Sequence, residues 1–140
     1  MKKRIISKAS ITAIVVATFF SVLPVFGATN YSWSGYAQTP GSSIRTDERT
    51  KQTDSSVIAN YTSGSSSFMG VIVLAKVNGS WRDCTYYSNS HPIYYAYKGA
   101  SNYIDVLNTV NESYGNCTTC ANFVATSAGS HSGKWRPDYR

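Results

Sequence analysis

The feature that most constrains the fold is an Asn-Gly pair, Asn78-Gly79, that separates two runs with the composition of β-strands. The first run, FMGVIVLAKV, covers residues 68–77, and the second, SWRDCTYY, covers residues 80–87. An Asn-Gly pair favours a tight hairpin turn, because both central residues of such a turn need positive φ. The first run has apolar side chains on both alternating faces, which predicts a central strand that is covered on both sides.

The N-terminal segment has the pattern of a secretory signal peptide. A basic start is followed by an apolar run over residues 11–26, and Gly27 and Ala28 are the small residues that a signal peptidase needs near its cut. The apolar run is shorter than the ~20 residues of a membrane-spanning helix, and no basic stop-transfer cluster follows it. We therefore predict a signal peptide over residues 1–28, cleavage after Gly27 or Ala28, and a secreted chain with no stable membrane span.

The charge of the remaining chain excludes a nucleic-acid-binding class. The sequence has 13 Lys and Arg against 7 Asp and Glu; four of the basic residues lie in the signal segment, so 13 − 4 = 9 remain against 7, a net charge of +2. Binding to nucleic acid needs a concentrated basic stripe, which is absent here. The mixed charges of Arg45, Asp47, Glu48, Arg49 and Lys51 are typical of a solvated loop.

Short alternating runs between Gly, Ser and Asn turns predict an all-β fold, a small antiparallel β-sandwich or a partly open barrel. We expect one domain over residues 29–140, with an arm or loop over 29–55 and a core over 56–140. Residues 29–41 fit an edge strand or an ordered arm, and residues 103–110 fit a strand or a short helical turn. Besides the hairpin, the predicted strands cover residues 56–61, 93–98 and 121–126, with a short strand near Ile44 if its side chain finds a pocket and a turn over 127–132.

Three cysteines, Cys84, Cys117 and Cys120, lie in the predicted secreted domain. Oxidising surroundings favour a structural disulfide from Cys84 to Cys117 or Cys120, with one thiol left over. A redox pair formed by Cys117 and Cys120 would need a helix N-terminus or a basic neighbour, and neither is visible. A zinc site that uses the cysteines with His91 or His131 has only one closely spaced ligand pair. We expect the disulfide, and we expect no metal site and no cofactor.

Catalytic patterns are weak in this sequence. A Ser/His/Asp set could be assembled from His91, Asp83 or Asp105 and one of many serines, but no Gly-x-Ser-x-Gly elbow is present. Glycosidase chemistry needs two carboxylates across a cleft, and few carboxylates lie in the body of the domain. The sequence therefore predicts no catalytic residues and a protein that is not an enzyme.

Aromatic residues are the densest feature. Trp81, Tyr86, Tyr94, Tyr97 and Trp135 are candidates for a surface that stacks on sugars or on a protein partner. Tyrosine also favours half-buried strand positions, so packing in the core and at its rim is the competing interpretation.

Several motifs resemble a family of small secreted proteins of Gram-positive bacteria whose function is unknown. They are Arg45-Thr46, a Lys-x-Thr-Asp-Ser-Ser-Val run from Lys51 to Val57, Gly70 to Val73, Asn108 to Glu112 with Tyr114, and the ending Ser132 to Asp138. The ending is the most specific part, with Arg136 where the family pattern has a serine. The chain also resembles lactococcin-type bacteriocins, which are short secreted β-sandwiches rich in Tyr, Ser and Asn, but no motif matches them residue by residue. The resemblance implies export and a β fold.

These observations together favour a secreted, non-enzymatic β protein that binds an unknown ligand at the cell surface or in the medium. One alternative is a bacteriocin-like antimicrobial protein. Another is an extracellular redox or hydrolytic enzyme.

Overall fold

The computed structural model describes residues 29–139, so the predicted signal peptide lies outside the described residues. Within this range the chain forms short strands and one helical turn, and no helix there has the length and apolar character needed to cross a membrane. The elements are β1 (Tyr31–Ala37), β2 (Ser43–Arg45), β3 (Arg49–Thr50), β4 (Val57–Ser63), β5 (Phe68–Val77), β6 (Ser80–Asp83), β7 (Tyr94–Tyr97), β8 (Tyr103–Ile104), α1 (Asn108–Asn111), β9 (Thr118–Val124) and β10 (Gly129–Arg136).

The strands form two antiparallel sheets, which confirms the predicted all-β sandwich. The first sheet has the order β1-β10-β4-β8. The second has the order β2-β9-β5-β6, with β3 also beside β9 and β7 also beside β5. The sheets are not closed into a barrel.

The β5–β6 hairpin forms where the Asn-Gly pair predicted it. Val77 pairs with Ser80, and the two turn residues have φ values of 51° at Asn78 and 80° at Gly79. The strand β5 is central, since β9 lies on one side and β6 and β7 on the other. Only one face of β5 is fully buried, however. Met69, Val71 and Val73 point into the core, while Ile72 and Leu74 are half-buried on the outer face, so the prediction of cover on both faces is wrong.

The hydrophobic core lies between the sheets and joins side chains from both. Trp33 of β1 stacks on Phe123 of β9, with ring centroids 4.0 Å apart and an interplanar angle of 25°. Trp135 of β10 and Val73 of β5 are fully buried in the same cluster. Because each sheet supplies part of this cluster, neither sheet has a core of its own.

The segment 29–55 contains an edge strand of the first sheet, which is one of the two alternatives predicted for residues 29–41, and so it is more than an arm or loop. Its strand β1 pairs with β10 along seven residues, from Tyr31 opposite Trp135 to Ala37 opposite Gly129. Ile44 is buried in the core and forms part of β2, as the conditional prediction required. Residues 29–55 are thus part of the sandwich.

Two further regions refine the strand assignment. Residues 127–132 were predicted as a turn, but β10 begins at Gly129 and lies between β1 and β4 in the first sheet. Residues 103–110 were ambiguous between strand and helix, and they contain both: β8 pairs with β4, and the single turn α1 follows.

A buried ion pair joins the C-terminal tail to the loop after β3. The ammonium group of Lys51 is fully buried and lies 3.3 Å from a carboxylate oxygen of Asp138, 2.9 Å from the carbonyl oxygen of Pro137 and in contact with the carbonyl oxygen of Ser55. The Asp138 carboxylate also accepts from the backbone N–H groups of Gln52 and Thr53, each at 2.8 Å. Lys51 is therefore a core residue, and its assignment to a solvated loop was wrong.

Candidate binding groove

Two adjoining clefts lie where β7, β8, α1 and the C-terminal tail meet. The first has a volume of about 460 Å³ and lies beside α1. Its lining includes Ser56, Tyr86, Asp105, Asn108, Asn111 and Tyr139. The second has a volume of about 470 Å³ and lies beside β7 and β8. Its lining includes His91, Ile93, Tyr95, Tyr97, Tyr103 and Asp105.

The clefts adjoin at two places. Asp105 lines both of them. The ring of Tyr103 in the second cleft meets the ring of Tyr139 in the first edge-on, with centroids 4.9 Å apart. We call the two clefts together the tyrosine groove, whose exposed rings are those of Tyr86, Tyr95, Tyr97, Tyr103 and Tyr139.

Alternation along β7 explains why its rings reach the groove. Tyr94 and Ala96 point into the core, so Tyr95 and Tyr97 point outward. The ring of Phe68 on the adjacent strand β5 supports both outward rings, with centroids 5.1 Å from Tyr95 and 5.9 Å from Tyr97. The two tyrosines are consequently held by a neighbouring strand while a large part of each ring faces solvent.

Asp105 is the polar centre of the groove. One carboxylate oxygen accepts a hydrogen bond from the Ser56 hydroxyl at 2.7 Å. The single proton of the Tyr94 hydroxyl is shared between the Tyr86 carbonyl oxygen at 3.1 Å and the other carboxylate oxygen of Asp105 at 3.4 Å. The backbone carbonyl of Asp105 accepts from the N–H of Tyr86 at 2.8 Å, which ties the two walls of the first cleft together. Burial, and then the negative charge of Asp105, raises the pKa of Tyr94, so this hydroxyl stays a donor.

The structure divides the five aromatic residues that the sequence singled out. Tyr86 and Tyr97 are exposed in the groove, at 50% and 54%. Tyr94 lies beneath it and contributes its hydroxyl rather than its ring face, because only 6% of the residue is exposed. Trp81 lies on the outer face of the second sheet, where the Arg45 guanidinium stacks 4.0 Å from its ring centre. Trp135 is fully buried in the core, so its assignment to a binding surface was wrong.

Sequence reasoning missed Tyr103, Tyr139 and Asp105 as groove residues. The alternation of Ile93, Tyr95 and Tyr97 placed these three on one face, but it did not say which face is exposed. Tyr103 and Tyr139 are distant in sequence and meet only because β8 and the C-terminal tail lie side by side. No local pattern could have identified that pair.

The predicted disulfide is absent, since Cys84, Cys117 and Cys120 are all free and buried. Cys120 pairs with Leu74 on the outer face of the second sheet, where the Arg45 side chain donates to its sulfur at 3.0 Å. Cys84 and Cys117 belong to the core cluster. Residues three apart on an extended chain point to opposite faces, which separates Cys117 from Cys120.

The environment of the thiols also differs from that of a redox site. Burial raises the pKa of all three thiols above the ordinary value. The nearby Arg45 offsets this effect only in part at Cys120. A reactive thiol needs the opposite shift and an exposed position.

The two histidines have different surroundings. His131 is buried; its Nε2 lies 3.0 Å from the carbonyl oxygen of Ser127 and its Nδ1 lies 3.1 Å from the Tyr61 hydroxyl. Because a carbonyl only accepts, Nε2 carries the proton, and His131 joins β10 to β4. The imidazole of His91 stacks on the Tyr94 ring, with centroids 5.5 Å apart and an angle of 9°.

Neither the described residues nor known proteins identify a cofactor or a family. Across residues 29–139, no three His, Cys, Asp or Glu side chains are close enough together to hold a metal ion. Comparisons with family models, curated proteins and solved structures found no match to this chain.

Proposed function

We propose that this protein is exported and acts outside the cell as a non-catalytic binding protein whose ligand site is the tyrosine groove. The observation that carries the proposal is the concentration of half-exposed tyrosine rings along two adjoining clefts. Tyrosine provides a large amphipathic contact area and loses little conformational entropy on binding, since it has only two side-chain torsions. The pattern of residues 1–28 supports the extracellular location.

Two features favour binding over catalysis. The Ser56 hydroxyl donates directly to Asp105, an arrangement that fixes the carboxylate as an acceptor rather than activating a serine through an imidazole. The cysteines are buried with raised pKa values, which disfavours thiol redox chemistry.

The test is binding of the labelled secreted chain to intact Gram-positive cells and to isolated cell walls. We expect Tyr86→Ala and Tyr97→Ala each to weaken binding by about tenfold or more, because truncating an aromatic anchor typically removes that much affinity. Tyr36→Ala is the matched control. Tyr36 is 69% exposed but lies on β1, at the opposite edge of the first sheet from β8.

Equal binding by Tyr97→Ala, Tyr86→Ala and Tyr36→Ala would contradict the proposal, provided that all three variants keep the circular dichroism of the parent. The bacteriocin-like alternative is separated by a killing assay against related bacteria. Growth inhibition that survives Tyr86→Ala and Tyr97→Ala would favour that alternative over a binding role for the groove.

A further inference from the structure

The carboxylate of Asp105 has unused acceptor capacity in a fixed position. A carboxylate offers about four acceptor positions, and the Ser56 and Tyr94 hydroxyls each occupy one. Within residues 29–139, these contacts leave each oxygen with a further acceptor position, and the residue itself lines both clefts. Two oxygens of one carboxylate match two adjacent hydroxyl donors on a ligand.

Ring faces are available on both sides of this carboxylate. Tyr86 and Tyr139 line the first cleft, and Tyr95 and Tyr97 line the second. The C–H face of a sugar ring is apolar and packs on an aromatic ring, while its hydroxyl groups at the rim need acceptors. The order of aromatic, carboxylate and aromatic along the groove suits at least two linked sugar rings.

The charge of the groove selects among possible ligands. Within the described part of the chain, the residues that line the two clefts include Asp54 and Asp105 but no lysine or arginine. An anionic polymer would meet like charge there, and an acidic peptide would find no cationic partner.

We infer that the ligand of the tyrosine groove is an uncharged glycan chain, which places adjacent hydroxyl groups on Asp105 and sugar-ring faces on the tyrosines of both clefts. This inference rests on the proposed binding function and specifies the class of ligand. Asp105 determines orientation in this arrangement, and Tyr97 and Tyr86 provide the contact area on either side.

The experiment is isothermal titration calorimetry of the secreted chain with cellohexaose, chitohexaose and mannohexaose, and separately with poly-glutamate as the anionic probe. We expect saturable binding of at least one neutral hexasaccharide and none of poly-glutamate. Asp105→Asn and Tyr97→Ala should each weaken glycan binding by about tenfold or more. Tyr36→Ala should leave it unchanged.

The outcomes separate this inference from the function on which it rests. If Tyr97→Ala reduces cell binding but none of the three hexasaccharides binds, the glycan inference is overturned and the groove remains a ligand site for another class. Tighter binding of poly-glutamate than of any hexasaccharide also overturns it. Glycan binding that Asp105→Asn and Tyr97→Ala leave intact places the glycan elsewhere and overturns the inference too.

Discussion

Lys51 is a single side chain that determines where the C-terminal tail lies. Its buried ammonium contacts Asp138 and the Pro137 carbonyl, and the loop beyond it donates two backbone N–H groups to the same carboxylate. The tail is thereby held beside the first cleft, which places Tyr139 in the groove. Lys51 and Asp138 are 87 positions apart in the sequence, and the structure brings their two segments together.

Removal of the Asp138 carboxylate should therefore be costly. We expect Asp138→Ala to lower the free energy of unfolding by about 3–5 kcal/mol, because it leaves a buried ammonium without its counter-ion. Replacing Lys51 with Met in the same variant should restore part of the loss. Urea denaturation measures both changes.

Asp47→Ala is the control for that experiment. Asp47 is well exposed and pairs with Arg49 at 3.7 Å, so its removal should cost less than about 1 kcal/mol. If Asp47→Ala and Asp138→Ala lower the free energy of unfolding by similar amounts, the buried Lys51–Asp138 pair stabilises the protein no more than an exposed ion pair does.

The three buried thiols predict a dependence of stability on pH. Their pKa values in the folded chain lie above the ordinary value of 9.0, so the unfolded chain releases these protons first as the pH rises. Their contribution to stability is complete below the ordinary pKa and is lost as the pH rises through the folded value. The buried Lys51 acts in the opposite sense, because burial lowers its pKa from 10.5.

A comparison with Cys120→Ala isolates the thiol contribution, because Lys51 is common to both proteins. Between about pH 8 and about pH 10, the free energy of unfolding should fall less steeply, or rise more steeply, in the variant than in the parent. Urea titrations across this range measure the difference. Parallel curves would mean that Cys120 ionises equally well in the folded and unfolded chains.

At the scale of elements, β10 was harder to predict than β5. The hairpin containing β5 has a local signal in its alternating β-branched residues and its Asn-Gly turn. The inward positions of β10 are His131, Gly133 and Trp135, which do not form an apolar pattern. Position 133 faces inward but holds a glycine, because the Trp33 ring and the Asn60 carbonyl oxygen occupy the space that a Cβ would need. The side chain that fills the core beneath this part of β10 is therefore Trp33, which lies about 100 residues earlier in the sequence. The local sequence of β10 contains no sign of it.

Gly133 should accordingly tolerate no side chain. A Cβ there would collide with the Asn60 carbonyl oxygen and lie 2.7 Å from atoms of the Trp33 ring. We expect Gly133→Ala to destabilise the protein by about 1–3 kcal/mol, the usual cost of overpacking, as measured by thermal or urea unfolding.

Gly70→Ala provides the matched control on the second sheet. Its Cβ would lie 3.5 Å from Val124, an ordinary contact, and Gly70 has no positive φ. The substitution should change stability by less than about 1 kcal/mol. Equal effects at the two sites would contradict the packing account of Gly133.

For the molecule as a whole, the sequence predicted the fold class better than the groove. The all-β sandwich follows from alternation and turn residues, which act over a few positions. The groove depends on contacts between distant segments, such as Ser56 with Asp105 and Tyr103 with Tyr139. Such contacts are set by the packing of complete sheets, and so only the placement of Tyr95 and Tyr97 on one face of a strand was available beforehand.

The position of β10 predicts how the chain behaves when it is shortened. This strand lies between β1 and β4, and it carries Trp135 into the core. A chain of residues 29–128 has nothing to join β1 to β4, so we expect it to be unfolded. Far-ultraviolet circular dichroism and the dispersion of amide proton NMR signals measure this. A cooperative unfolding transition in the shortened chain would contradict the expectation.

The same arrangement has a consequence for biogenesis. While the ribosome has not yet passed Arg136, the nascent polypeptide lacks the segment that closes its first sheet. We therefore expect the sandwich to be incomplete over most of the synthesis, and an unfolded chain is the form that a narrow translocation channel admits. If the chain is threaded through the channel during its synthesis, we expect the sandwich to close only after the last strand has emerged on the far side of the membrane.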